Sequence, residues 1–380
     1  MTLPMALYFH RITVYALPVN LLILPLLGLL MPAALVLLLT QAAVPALAII
    51  PATVVALLLH TGVGIVHLFG SFSFGDMRLP TPLAWQSAAF CALLASAIVL
   101  ARLRPPSLLK RRIAIASLLA AAFAAIAPHP VQHPTDALFV EAIDVGQGDS
   151  LLLITPDGRT LLVDAGGLGG GPNQALQEFD IGEEVVSPVL WSRGIRRLDV
   201  VALSHAHSDH MGGTPAILRN FHPAELWVGN NPRIDAYDSL LSQAATLHIH
   251  VKSQHAGNTF ALGSARVAVL APFSDYVPGP EPTNNDSLVL RLAYEESSVL
   301  LEGDAEAPVE QAMLAEPVLN SNLLKIGHHG SITSTRPAFL SRVAPPPMGG
   351  NLLRPAQPLW PPAAGGSCGT ASRPNTDRGD

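Results

Sequence analysis

Between Arg11 and Asp76 the chain contains no Asp, Glu, Lys or Arg. Roughly 20 apolar residues suffice to cross a bilayer, so a stretch this long without charge belongs in a membrane. Residues 79–101 and 113–135 are likewise uncharged. Their apolar portions, 83–101 and 113–127, read as helices; the second is short for a span and needs Pro128 and its neighbours, or a tilt, to complete it. Residues 1–128 are therefore expected to form transmembrane helices. A cleaved signal peptide is far shorter than this.

Pro18, Pro25, Pro32, Pro45 and Pro51, with Gly28, Gly62 and Gly64, are expected to interrupt these helices. Broken helices at membrane depth persist only where protein or a water-filled cavity covers the freed backbone groups. Two readings follow: part of a channel or transporter, or kinked helices with no pathway. Residues 66–78, with Phe69, Phe72 and Phe74, read as an amphipathic piece lying in the interface. The loop from Arg102 to Arg112 carries five positive charges and no negative one, which places it in the cytoplasm. One further span then delivers everything after Pro128 to the external face. The two cysteines, Cys91 and Cys368, offer no disulfide framework.

Residues 129–136 form a proline-rich linker whose His129 and His133 read as solvated. From residue 136 to residue 343 there are 25 acidic and 12 basic residues, a net charge of −13. Such a surface repels nucleic acid, unless bound divalent cations reverse the local field.

Residues 204–213 read S-H-A-H-S-D-H-M-G-G, directly after the apolar, β-branched run 198–203. A buried strand followed by this motif places His205, His207, Asp209 and His210 at the strand's C-terminal end. Side chains two apart on extended backbone point the same way, so His205 and His207 can share one ion. Asp209 and His210 can turn to a second as a helix begins. Imidazole nitrogen with carboxylate oxygen suits Zn²⁺ or a similar divalent ion.

The same placement recurs. Residues 139–143 and 150–154 read as strands around D-V-G-Q-G-D (144–149), where an ordinary hairpin turn is the simpler reading. The strand 160–163 runs into Asp164-Ala165-Gly166-Gly167. A helix over 179–193, closed by Gly194, leads to the strand before His205. Further strands are expected at 267–270, 288–293, 298–301 and 323–326; the third runs into Glu302-Gly303-Asp304, the last into Gly327-His328-His329-Gly330. Acidic or histidine residues thus follow strand after strand, always at the C-terminal end, as on the rim of one sheet-based site.

These residues resemble a known family. H-x-H-x-D-H after a strand, an earlier L-L-V-D-A-G-G and a later G-D are similar to the metallo-β-lactamase superfamily. More narrowly, F-V-E-A-I-D-V-G-Q-G-D-S, N-N-D-S-L-V-L-R-L and L-K-I-G-H-H-G-S resemble the ComEC family of competence proteins, as does F-H-R-I-T-V-Y-A-L-P-V-N-L-L-I-L-P-L in the membrane portion.

The resemblance covers roughly residues 8–343. It implies an α+β chain: an N-terminal membrane α-helical segment, then an αββα sandwich over 137–343 with a two-metal site on one edge. By that likeness His205 and His207 hold one ion, Asp209 and His210 the other, and Asp304 bridges them. One of His328 and His329, with His328 preferred, completes the second site, and Asp164 orients a ligand from behind. Asp144, Gln147 and Asp149 line the cleft and, with Asp209, make the implied catalytic set.

The histidine that ordinarily completes the first site has no counterpart between Leu270 and Leu290, where Asn284 or Asn285 stands, so the implied cofactor is one or two ions of Zn or Mn. Residues 344–380 carry no strand or helix pattern and read as disordered or out-of-frame. With the family's amino-terminal part also absent, the sequence reads as a fragment.

The implied function is a multi-pass component of the inner or plasma membrane, acting in DNA uptake during transformation. Its external hydrolase domain cleaves or handles single-stranded DNA, with the bilayer and other competence proteins as partners. Two alternatives stand beside it: a channel component with an inert guiding domain, and a membrane-anchored hydrolase of small esters or lactams.

Overall fold

The computed structural model describes residues 2–72, 75–105, 107–168 and 179–343. The chain divides into two units, Met1–Gln132 with Pro188–Arg196, and His133–Ser187 with Arg197–Asp380.

In the first unit α1 (Thr2–Tyr8), α2 (Ala16–Ala43), α3 (Ile49–Gly70), α4 (Ala84–Arg102) and α5 (Leu108–Ile126) are joined by β1 (Arg11–Ile12) and β2 (Met77–Arg78), which pair antiparallel. Among the described residues α2, α3 and α4 are long and apolar enough to cross a membrane. At 1.5 Å per residue, α2 reaches about 42 Å and α3 about 33 Å, against a hydrocarbon core of about 30 Å. Helix α5 opens on Ser107, whose hydroxyl accepts from the Lys110 amide, and it carries Lys110, Arg111 and Arg112 before its apolar part. The α5 residues Ala114, Ser117, Ala121, Ala124 and Ala125 are buried, as is Ala97 on α4. Side chains this small let two packed helices approach closely.

Most of the expected helix breaks do not occur. Helix α2 runs unbroken through Pro18, Gly28, Pro25 and Pro32, and α3 through Gly62 and Gly64. Between α2 and α3 the chain turns at Val44, into a 3₁₀ turn over Pro45–Leu47. Pro18 and Pro51 lie in the first turn of their helices, where an amide proton has no intrahelical partner to lose. Pro25 and Pro32 each forfeit one hydrogen bond, which costs less in apolar surroundings than releasing the backbone groups of a whole turn. The argument for a pathway from broken helices is thereby removed. Among the described residues the amphipathic piece expected over 66–78 is also absent as such: residues 66–70 complete α3, and Met77–Arg78 is a strand; Phe74 lies outside the described residues. The expected disordered tail, 344–380, lies outside the described residues.

The second unit carries two sheets. The first has the order β3 (Phe139–Ala142), β4 (Leu151–Ile154), β5 (Thr160–Val163), β6 (Val200–Leu203), β7 (Glu225–Val228), β8 (His250–Ser253). Its first three strands are antiparallel and β5 to β8 parallel. In the second sheet β9 (Thr259–Leu262), β10 (Ala265–Ala271), β11 (Val289–Tyr294) and β12 (Ser297–Leu301) are antiparallel, and β13 (Leu323–Lys325) joins β12 in parallel.

Leu151, Leu153, Leu161, Val163, Val200, Ala202 and Trp227 from one sheet meet Val267, Val269, Leu290, Leu292, Val299 and Leu301 from the other in a single core. The outer face of the second sheet, with Leu270, Val289 and Leu300, is covered by α10 (Ala307–Met313) and α11 (Pro337–Val343). Strands β4, β5 and β6 are buried along their whole length, as interior strands of a sheet covered on both faces are. The short α7 (Ser208–Met211), then α8 (Thr214–Phe221) and α9 (Asp235–Thr246), follow β6 and β7 as crossover helices. The helix expected over 179–193 is shorter, a π turn over Gly182–Val186 running into α6 (Ser187–Ser192). The result is the expected αββα sandwich.

Candidate metal centre

Strand β6 ends at Leu203, and the next residues carry four potential ligands into α7. What fixes them is a set of acceptors behind the rings. Asp164, at the end of β5, is 1% exposed and holds left-handed backbone, φ 59°. It accepts from the Ser204 amide at 2.7 Å and the Ser204 hydroxyl at 2.6 Å, and its Oδ2 lies 2.8 Å from His210 Nδ1. Because Ser204 gives its proton to Asp164, its oxygen accepts from His205 Nδ1 at 3.0 Å. His207 Nε2 lies 3.0 Å from the Pro282 carbonyl, which can only accept.

Each of the three rings therefore donates backward from one nitrogen, and this leaves His205 Nε2, His207 Nδ1 and His210 Nε2 as the forward-facing atoms. His205 Nε2 and His207 Nδ1 face one another at 2.8 Å. Two imidazole lone pairs held so close repel unless a cation lies between them. An ion at roughly 2.0–2.1 Å from each nitrogen sets tetrahedral ligands about 3.3 Å apart, so the two rings need to part by about half an ångström to share one.

A second group adjoins the first. Asp304, after β12, places Oδ2 at 3.1 Å from His210 Nε2 and 3.3 Å from His329 Nε2. His329 also lies 3.6 Å from Asp209 Oδ2, and its Nδ1 lies 3.5 Å from Asp149 Oδ1. His205, His210 and Asp304 bring their ligand atoms within 4.8 Å of one another, as do Asp209, His210 and His329. The donor set fits a divalent transition metal, and the outward nitrogens are already tied back, as a ligating histidine requires.

Of the 328/329 pair, His329 enters the cluster. His328, preferred on resemblance, turns to Glu306 Oε1 at 3.1 Å and to Thr333. Both residues hold left-handed backbone, φ 45° and 50°, and this sends the adjacent rings in different directions. Asn284 binds Glu306 at 3.0 Å and Asn285 accepts from the Glu306 amide, so neither replaces the missing histidine beside His205 and His207. Asp144 accepts from the Gly146 amide within its own loop, and Asp144 and Gln147 are exposed there, whereas Asp149 is 8% exposed. Sequence reasoning missed Ser204, the Pro282 carbonyl and Lys325. The lysine ammonium is ion-paired to Asp149 and donates to the Gly303 carbonyl at 2.8 Å.

The 144–149 turn does join β3 to β4 as a hairpin, but its glycine has a further task. A Cβ at Gly148, φ 101°, falls 1.9 Å from the Asp209 carbonyl oxygen. Gly148→Ala is therefore expected to push α7 away and to cost roughly 2–3 kcal/mol from the left-handed backbone and the clash. A thermal melt and the metal content are expected to fall together.

The charges reinforce the geometry. Burial, joined by the neighbouring His210 charge, holds His205 well below the ordinary histidine range, so its ring is neutral and able to ligate. Burial also opposes charge on His210, but Asp164 and Asp304 outweigh it and push that ring up to about 10. Hydrogen bonds to Asp149, Asp209 and Asp304 raise His329 to about 11, and His329 in turn brings Asp209 down to about 2. For Asp304 the histidines overcome burial and keep the carboxylate far below its usual range. A cation must displace the protons on His210 and His329 to reach their nitrogens. Its affinity is therefore expected to rise with pH from neutrality toward about 10, with proton release at pH 7. Calorimetry in buffers of different ionisation enthalpy measures that release.

Comparison with known proteins follows the same division of the chain. The family model "Metallo-beta-lactamase superfamily" matches residues 143–348 and "Competence protein" matches residues 1–104. ComE operon protein 3 of Bacillus subtilis is 32% identical over 213 residues, 54% of this chain and 27% of its own length. Recombination protein 2 of Haemophilus influenzae is 32% identical over 206 residues, 54% of this chain and 23% of its own. The matches thus span about a quarter of the length of these curated relatives. Among solved structures, the metallo-β-lactamase fold protein YhfI from Bacillus subtilis covers 50% of this chain and 70% of its own at 17% identity, with a TM-score of 0.32.

Proposed function

Because the chain belongs to the metallo-β-lactamase superfamily and joins that domain to a competence domain, as ComEC proteins do, we propose that it is a membrane component of DNA uptake whose second unit hydrolyses phosphodiesters of single-stranded DNA. The supporting observation is the pair of forward-facing nitrogens of His205 and His207, 2.8 Å apart beside the Asp304 cluster. One or two ions of Zn or Mn are the proposed cofactors. Bound there, a divalent cation lowers the pKa of a water toward 7 and polarises a phosphoryl oxygen.

The protein's own share is to fix that arrangement. Asp164 and Ser204 keep the His205 and His210 rings in the ligating tautomer, and Pro282 does the same for His207. Asp209, Asp304 and His329 are the proposed remaining ligands. Asp149 holds the His329 ring by its Nδ1, while Asp144 and Gln147 stand on the exposed turn where they can meet substrate. Between residues 136 and 343 the net charge is −13, so DNA approaches only where bound cations invert the field. Cleavage is accordingly expected to depend steeply on divalent cation.

The proposed setting is a multi-pass inner or plasma membrane protein. The positive segment from Arg102 to Arg112 lies on the cytoplasmic side and the hydrolase on the external face. Other competence proteins are the proposed partners. A defined single-stranded oligonucleotide incubated with the detergent-purified chain and Mn²⁺ tests the activity. The expected result is cleavage abolished by chelator and by His207→Ala; cleavage that survives both contradicts the proposal.

A further inference from the structure

Lys325 is 6% exposed, and its ammonium sits among oxygens alone. Asp149 Oδ2 is ion-paired to it, the Gly303 carbonyl accepts from it at 2.8 Å, and Asp304 Oδ1 lies 3.5 Å away. The same two carboxylates turn their other oxygens to the histidines: Asp304 Oδ2 to His210 and His329, Asp149 Oδ1 to His329. The lysine thus divides each carboxylate between two neighbours. It arrives from β13, whose parallel pairing sets Lys325 opposite Leu301 of β12, three residues before Asp304.

A buried ammonium is expensive to desolvate and persists only where fixed anions surround it. Carboxylate and carbonyl oxygens are also the donor type that a hard cation takes, with water filling its remaining positions. We propose that Lys325 is a built-in counter-cation: its ammonium occupies an all-oxygen pocket beside the histidine centre, keeps that pocket from taking a divalent ion, and leaves one oxygen each of Asp149 and Asp304 for the histidine side, where Asp304 ligates and Asp149 holds the His329 ring. The inference rests on the reading of the histidine cluster as a metal centre, and it limits how many ions that centre accepts.

The test is the Mn²⁺ stoichiometry of the full chain in detergent, measured by equilibrium dialysis and metal analysis, alongside thermal melts with and without Mn²⁺. Lys325→Ala opens the pocket and is expected to bind one more Mn²⁺ per chain than the wild type, whereas Lys325→Arg keeps the charge and the wild-type count. Without cation, Lys325→Ala and the isosteric Lys325→Met are expected to melt lower than the wild type, and saturating Mn²⁺ is expected to restore the alanine variant. An unchanged or smaller count in Lys325→Ala overturns the inference. So does a variant that stays unfolded at saturating Mn²⁺, because the added ion should replace the missing charge. A wild-type chain that binds no Mn²⁺ overturns the metal-centre reading instead, which keeps the two failures distinguishable.

Discussion

Asp304→Asn is expected to strip the centre of its divalent cation and to abolish metal-dependent cleavage. The carboxylate is 2% exposed, and one of its oxygens lies within 3.3 Å of both His210 Nε2 and His329 Nε2. The amide keeps the shape but loses the charge that draws a cation into a buried site. Replacing an outer partner of a ligand already costs about 10–100-fold in metal affinity, so losing this contact should cost more than about 100-fold. Lys325 also loses an anion it faces. Breaking a buried ion pair costs roughly 3–5 kcal/mol, so a lowered melting temperature should accompany the loss. Dialysis against Mn²⁺ or Zn²⁺ followed by metal analysis measures the first effect, and a melt monitored by circular dichroism the second.

Asp164→Asn should produce the second-largest effect, through a different cause. Asp164 touches no forward-facing nitrogen; it acts by accepting from Ser204 and from His210 Nδ1. An asparagine amide turned toward His210 donates where the carboxylate accepted. It thereby drives the ring proton to Nε2, the atom that must ligate. Metal affinity is expected to fall by about 10–100-fold. Above about pH 10, where the wild-type ring is neutral, the nitrogen-15 shifts of the His210 ring should report a change of tautomer; near neutrality, where the variant breaks the buried Asp164–His210 pair, the melt should fall as well. An unchanged tautomer with weakened metal would show that Asp164 supports only the fold.

Much of the site was legible because its chemistry lies at strand ends. The H-x-H-x-D-H run follows a buried parallel strand, β6, and Asp164 ends another, β5, so apolar runs closing on polar residues located five of the groups that converge here. What escaped was the partner of each ring. Ser204 is itself no metal ligand, Pro282 acts through its backbone, and Lys325 is a cation inside a strand that otherwise reads as apolar. None has a side-chain pattern that announces a contact 20 or more residues away. The choice between His328 and His329 turned on two consecutive left-handed residues, which composition does not encode.

In the fold, β8 escaped for a related reason: His250–Ser253 is exposed along its length at a sheet edge and has no buried face to pattern it. In the first unit the prolines were expected to break the helices, with protein or a cavity covering the freed backbone groups. The apolar surroundings, where an unpaired backbone group has no water to turn to, decided in favour of continuous helices.

The central claim is that imidazoles and carboxylates from β5, β6, β12 and the loop after β13 meet to hold a cation. Its most direct test is metal analysis of the detergent-purified full chain, wild type beside Asp304→Asn, after dialysis against Mn²⁺ or Zn²⁺ and removal of free ion. The account predicts a stoichiometric divalent cation in the wild type and background levels in the variant. Equal background levels in both, with the wild type folded, would contradict it.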